Sequence, residues 1–231
     1  MPVGGIVNTA RSLAYLIRLQ EVTANNIANA NSDAFKADRL TAELSPGSQF
    51  PVPVQLTDLQ QGAFRETGRT LDVALDGRGF LVTRTPEGER LIRGGSLRLD
   101  AAGRLTDAHG DLVLGEDGPI ILQGQNLEFH GDGTILVDGA PAGRLRMVTV
   151  ADPASLRKEG MGRFVASVPP QRVEEGSLRV RQGAVEESNV DSMLSMVDLV
   201  TIQRAYTANI DALKAMDSVL ATVTGQVGRV P

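Results

Sequence analysis

Apolar side chains recur at alternating three- and four-residue steps near both ends of this chain. Between the ends they fall in short runs separated by glycine-containing turns. At the N-terminus Ile6, Thr9, Leu13, Leu16, Gln20, Thr23, Ile27 and Ala30 follow the helical step. At the C-terminus Met196, Leu199, Gln203, Tyr206, Ile210, Leu213, Asp217 and Leu220 do the same. Each series reads as a coiled-coil seam. A second apolar row, through Ile202, Ala205, Ala212, Met216, Val219 and Val223, runs beside the C-terminal one. One helical partner covers one row and leaves the other for a neighbouring subunit.

The first helix is expected from about Asn8 to Asn31, a span without internal proline or glycine, and roughly 35 Å long at ~1.5 Å per residue. Asn31, Ser32 and Asp33 favour turns and should end it. From Phe35 to Thr67 periodicity fades, and Pro46, Pro51 and Pro53 exclude a central strand. This stretch reads as an extended connector that orders only against other parts of an assembly. From Leu71 to about Val185, short strand patterns alternate with Asp76-Gly77, Glu87-Gly88, His109-Gly110, Asp117-Gly118, Asp132-Gly133 and Asp138-Gly139. These glycines suit positive φ, and the spacing predicts an antiparallel β domain. A helical pattern returns near Glu187, with Ser188 or Asn189 able to cap it and Asp191 in its first turn. It is expected to run to Val223 before Gly225 and Gly228 end it and Pro231 closes the chain.

The predicted architecture is therefore mainly β with long terminal α-helices, in which a discontinuous N/C-terminal helical coiled-coil domain flanks an antiparallel β middle domain. Its expected parts are an N-terminal helix over 1–35, a connector over 36–69, the β-rich domain over 70–186 and a C-terminal helix over 187–231.

Composition narrows the function. Aromatic residues make up 3% of the chain and tryptophan is absent, which argues against stacking platforms for bases or sugars. The formal net charge is −5, and arginines such as Arg69, Arg84 and Arg98 are scattered among carboxylates. No phosphate-binding stripe forms, so nucleic acid is not an expected partner. Cysteine is absent, removing disulfides and thiolate metal sites. Arg11, Tyr15, Arg18 and Gln20 interrupt the N-terminal apolar positions, so neither a cleaved signal nor membrane insertion is expected.

Candidate chemistry is sparse. His109 and His130 stand alone in turn contexts, and the Asp100–Asp111 stretch lacks the order of a calcium loop. Gly77-Arg78-Gly79 lacks the third glycine and following helix of a nucleotide loop and reads as a hairpin or bulge. Glu186 and Glu187 are explained as compensating a helix dipole. No catalytic, metal or cofactor-binding residue is nominated. Asn25, Asn26, Asn29 and Asn31 lower helix propensity near one helix end. They fit either a fraying terminus or amides that bond across packed helices and fix register.

The stretch from Asn26 to Lys36, Asn-Ile-Ala-Asn-Ala-Asn-Ser-Asp-Ala-Phe-Lys, resembles the N-terminal signature of the bacterial flagellar rod and hook proteins. Glu187-Ser188-Asn189-Val190-Asp191, followed by Gln203-Arg204-Ala205-Tyr206 and Asn209, resembles their C-terminal signature. Leu71 to Leu75 with Gly77 to Val82 is similar to the opening of their β domain. Leu91-Ile92-Arg93-Gly94-Gly95 departs from the aromatic-Thr-Arg-x-Gly stretch usual there. The small middle domain and short connector are most like the proximal rod type, with the distal rod type next.

The resemblance implies a structural, non-enzymatic axial subunit, exported without signal cleavage by the flagellar type III apparatus. It would assemble with itself and other rod proteins into a torque-carrying shaft that spans the periplasm. The expected assembly interface comprises Leu13, Leu16, Asn26, Ile27, Asn29, Phe35, Asn189, Met196, Leu199, Gln203, Tyr206, Asn209, Ile210, Leu213 and Leu220. A cell-surface binding module and a secreted β-domain enzyme are the alternatives from other classes.

Overall fold

The computed structural model describes residues 2–43, 51–174 and 176–227. The chain divides into two compact units, one comprising Met1–Ala28, Asp38–Leu56 and Asp191–Pro231, the other Asn29–Ala37 and Thr57–Val190. Pro46, Gly228 and Pro231, invoked above as breakers, lie outside the described residues.

The first unit contains helix α1 (Pro2–Ala28), helix α2 (Ser192–Val227) and a two-stranded ribbon of β1 (Asp38–Glu43) and β2 (Val52–Thr57). α1 starts six residues earlier than the pattern predicted. Proline is tolerated in a first helical turn because its missing N–H has no intrahelical acceptor there. The cap of α2 is Asp191, not Ser188 or Asn189: its Oδ1 accepts from Leu194 N at 3.0 Å and its carbonyl from Ser195 N at 3.0 Å. α2 continues through Gly225 to Val227, so that glycine does not stop it. Pro53 sits in β2, whose one strand neighbour among the described residues is β1, in keeping with proline's exclusion from central strands.

The expected coiled coil is not what this unit forms. A coiled coil needs one continuous seam on each helix, but α1 packs against both α2 and β1. The ribbon takes part of its inner face, and among the described residues the buried α1 side chains are Val22, Thr23 and Asn26. On α2 the buried apolar residue among those described is Ile202, at 6% exposure, which belongs to the predicted second row. Met196 of the predicted seam is 54% exposed. Three- and four-residue steps straddle the true helical repeat equally well, so the sequence alone cannot choose between adjacent rows.

The second unit is built of antiparallel strands. β3 (Phe64–Glu66) pairs with Ala184–Glu186. β4 (Asp72–Gly77) lies between Leu178–Gln182 and a short strand at Gly94–Ser96. β5 (Phe80–Thr85) and β6 (Gly88–Ile92) form a hairpin at the centre of a larger sheet, flanked by Arg163–Ala166 and Leu112–Gly115. Strands Leu127–Phe129, Thr134–Val137 and Ala140–Arg144 make a separate meander. Arg78-Gly79 is not a hairpin turn, because β4 and β5 on either side belong to different sheets.

Successive side chains of a strand face opposite ways, and β5 buries both faces. Leu81 enters a core with Val73, Leu75, Leu97, Leu105 and Ile135, while Phe80 and Val82 enter another with Leu91, Leu114 and Phe164. The Phe80 and Phe164 rings meet edge to face at 5.5 Å, the arrangement their quadrupoles favour. The six turn glycines predicted above all have positive φ.

Gly94 meets a double constraint: φ is +101°, and an added Cβ would lie 2.4 Å from the Val73 carbonyl oxygen. At Gly110 φ is +90° with open space around it. Gly94→Ala is expected to cost more than about 2 kcal/mol and Gly110→Ala about 1 kcal/mol, the strain of the backbone alone. Urea unfolding of the two variants checks this, and equal losses would contradict the close approach.

Candidate assembly site and the buried joint

The residues expected at an assembly interface divide between the two units. In the first, Leu13, Leu16 and Ile27 of α1 are half-buried, as are Leu199, Tyr206, Asn209, Ile210, Leu213 and Leu220 of α2. Met196 and Gln203 are exposed. Beyond the helix contact, the start of α2 presents Met193, Leu194, Met196, Val197 and Val200, between 48% and 81% exposed. Five large apolar side chains within eight residues form a patch of the kind that marks an interaction surface. Arginine, aspartate and threonine at Arg204, Asp211 and Thr207 give the following turns a more polar surface.

Asn26 is buried, but its partner is not a helix. Its Nδ2 donates to Asp38 O at 2.8 Å and its Oδ1 accepts from Asp38 N at 2.9 Å. The side-chain amide thus pairs with the first residue of β1 as another strand would, and satisfies backbone groups that burial would otherwise leave unbonded.

In the second unit, Asn29, Phe35 and Asn189 lie in the segments on either side of a buried charge cluster. Lys36 and Glu186 are fully buried and Arg93 is 4% exposed. One oxygen of Glu186, Oε1, accepts from Lys36 Nζ and from Gly62 N at 3.0 Å. The other, Oε2, accepts from Arg93 Nε at 3.1 Å and Nη2 at 2.9 Å. The remaining Arg93 donors reach the Leu75, Gly77 and Gly79 carbonyls at 2.5–3.1 Å, and Lys36 Nζ reaches Gln60 O at 2.6 Å. Every charge here is both paired and hydrogen-bonded, the condition under which charges persist in an interior. Burial pushes the Lys36 pKa down from its ordinary 10.5, opposed by its hydrogen bond to Glu186.

Phe35 is half-buried with Lys158 Nζ 4.1 Å from its ring centroid, a cation–π contact. The Asn189 amide bonds Ala37 N, Asp58 O and Gln60 O. Lys36, Arg93 and Glu186 were not anticipated as a group. Glu186 is not a helix-dipole carboxylate: it ends a strand, and α2 begins at Ser192. The available signal was the placement of Lys36 within one signature and of Glu186 directly before the other.

Residues 181–225 match the family model described as flagellar basal body rod FlgEFG protein C-terminal. The flagellar basal-body rod protein FlgF of Escherichia coli (strain K12) is 33% identical over 86% of this chain and 88% of its own length. The chain belongs to the FlgF family of flagellar basal-body rod proteins. FlgF of Salmonella typhimurium is 31% identical over 86% of this chain and 88% of its own. The flagellar basal-body rod protein FlgG of Bacillus subtilis (strain 168) is 27% identical over 87% and 90%. In this FlgF-family chain the matched region takes in Glu186, Asn189 and the exposed apolar start of α2.

Two substitutions separate the roles within the charge cluster. Glu186→Gln leaves two buried cations without a carboxylate and should cost about 3–5 kcal/mol. Lys36→Met leaves Glu186 still paired with Arg93 and should cost about 1–2 kcal/mol. Denaturant unfolding measures both, and the reverse order would remove Glu186 as the centre of the cluster.

The Lys36 shift also sets a pH trend. Because the folded pKa is the lower one, the unfolded chain binds the extra proton between that value and 10.5. Wild type should therefore gain stability relative to Lys36→Met as pH rises through that window. A flat or falling difference in unfolding midpoint would contradict it.

Proposed function

We propose that this chain is a structural subunit of the flagellar basal-body rod, of the proximal type, and that it assembles with further copies and with other rod proteins through its terminal helices. Family membership supports the rod role, and the observation that carries the mode of assembly is the exposed apolar start of α2. Covered head to tail by successive subunits through a rotation that does not close, such a surface produces an open helical assembly, not a closed oligomer. In this reading the subunit is delivered by the flagellar type III apparatus, lies in the rod across the periplasm, and carries torque without catalysing a reaction. Conservative closure of the α2 patch by neighbouring subunits would make the shaft stiff, because packed interfaces resist deformation.

Val197 is 62% exposed, so Val197→Asp should change the stability of the free chain by less than about 0.5 kcal/mol. In the assembly it would bury an unpaired charge. Expressed in a strain lacking the wild-type chain, it should fail to restore rods and swimming while remaining folded by circular dichroism. Normal rods containing Val197→Asp would exclude this patch from the interface.

A further inference from the structure

Residues Asn29, Ala37, Thr57 and Val190 are the four points at which the second unit's chain continues into segments of the first. Within the second unit, the neighbourhoods of the last three meet at one side chain. Asn189 Oδ1 accepts from Ala37 N at 2.6 Å, and its Nδ2 donates to Asp58 O at 2.9 Å and Gln60 O at 3.0 Å. Asp58 N closes the ring by donating to Ala37 O at 2.8 Å. An amide supplies one acceptor and two donors on a single planar group, which is the set this arrangement uses. Aspartate would offer oxygen to two carbonyls, and alanine would offer nothing.

The same segments are held a second time beneath this tie. Ala34 N donates to Glu186 O at 2.6 Å, and Glu187 N donates to Ala63 O at 2.8 Å. Lys36 and Gly62 both bond the Glu186 carboxylate. Ala34 has φ +56°, a left-handed conformation that alanine adopts only where its surroundings impose it. The segment 33–37 is thus held in a bent path by contacts to 184–190 and 58–63.

We propose that Asn189 is a positioning residue for assembly, gathering three of the four chain crossings of the β unit, at Ala37, Thr57 and Val190, into one prefolded joint. This rests on the rod-subunit reading above. The exits keep a fixed mutual spacing before any neighbour binds, so their ordering entropy is lost on folding and not again on assembly. Without the amide the three segments move independently, the β core stays folded, and incorporation into a rod becomes less favourable.

Hydrogen exchange on the purified full-length chain tests the joint, and complementation tests its consequence. In Asn189→Asp and Asn189→Ala, the amides of Ala37, Asp58 and Glu187 should exchange at least about tenfold faster, as expected from losing hydrogen bonds that hold a local unit closed. Amides of β5 and β6 should keep wild-type rates, and rods should be short or absent. Unchanged exchange at the joint overturns the proposal, as does faster exchange with normal rods. Faster exchange throughout β5 and β6 in Asn189→Ala would make the residue an ordinary stability contact and also overturn it. Normal rods in a strain lacking the chain altogether would instead defeat the rod-subunit reading itself.

Discussion

The fully buried Glu186 carboxylate faces two buried cations, and the second unit is arranged around that fact. A lone carboxylate in an interior would be neutralised or expelled into water. Here each oxygen is occupied: Lys36 and the Gly62 amide bond one, and the Arg93 guanidinium bonds the other. Arg93 in turn satisfies the carbonyls of Leu75, Gly77 and Gly79, at the end of one strand and in the turn beyond it. These bonds tie the guanidinium to the chain as it passes from β4 into β5, while the close approach at Gly94 belongs to the ladder that pairs it with Ala74. Replacing the cluster with apolar residues of similar volume would relieve the desolvation cost. It would also remove the directional bonds that hold residues 33–37, 60–62 and 186 together.

The first unit obeys a weaker constraint. Its helices pack on one another, and α1 shares its inner face with a two-stranded ribbon through Asn26 and Asp38. Ile202 is deeply buried, whereas the residues just before it on α2 are open to solvent. That contrast separates the contact made within the subunit from the surface to which the proposed assembly assigns its neighbours. A ribbon also needs a packed face to be stable, so α1 serves two partners and cannot present the uniform seam of a coiled coil.

Local rules made much of this legible. Helical steps at both ends identified α1 and α2, and acid–glycine and His-Gly dipeptides identified turns, because both signals act over a few residues. The boundaries depended on choices the local pattern leaves open. Asp191, Asn189 and Ser188 are all competent caps by residue type, and the choice among them was fixed by Asn189's bonds to segments far away in sequence. Glu186 beside Glu187 looked like ordinary dipole compensation near a helix. Its real partner is Lys36, 150 residues distant, and no periodicity encodes a pairing of that range. Asn26 was marked by its unfavourable place in a helix, but the amide's bond to β1 required the ribbon to be seen. Met196 of the expected seam is exposed and Ile202 of the second row is buried, although Leu199, Tyr206, Ile210, Leu213 and Leu220 of that seam are half-buried.

The measurement that bears most directly on this account is a high-resolution electron cryomicroscopy map of purified basal bodies from a strain expressing this chain. The account predicts density for the chain in the rod, with Met193, Val197 and Val200 of α2 buried against a neighbouring subunit. A rod in which the chain is absent, or in which that face of α2 is open to solvent, would contradict it.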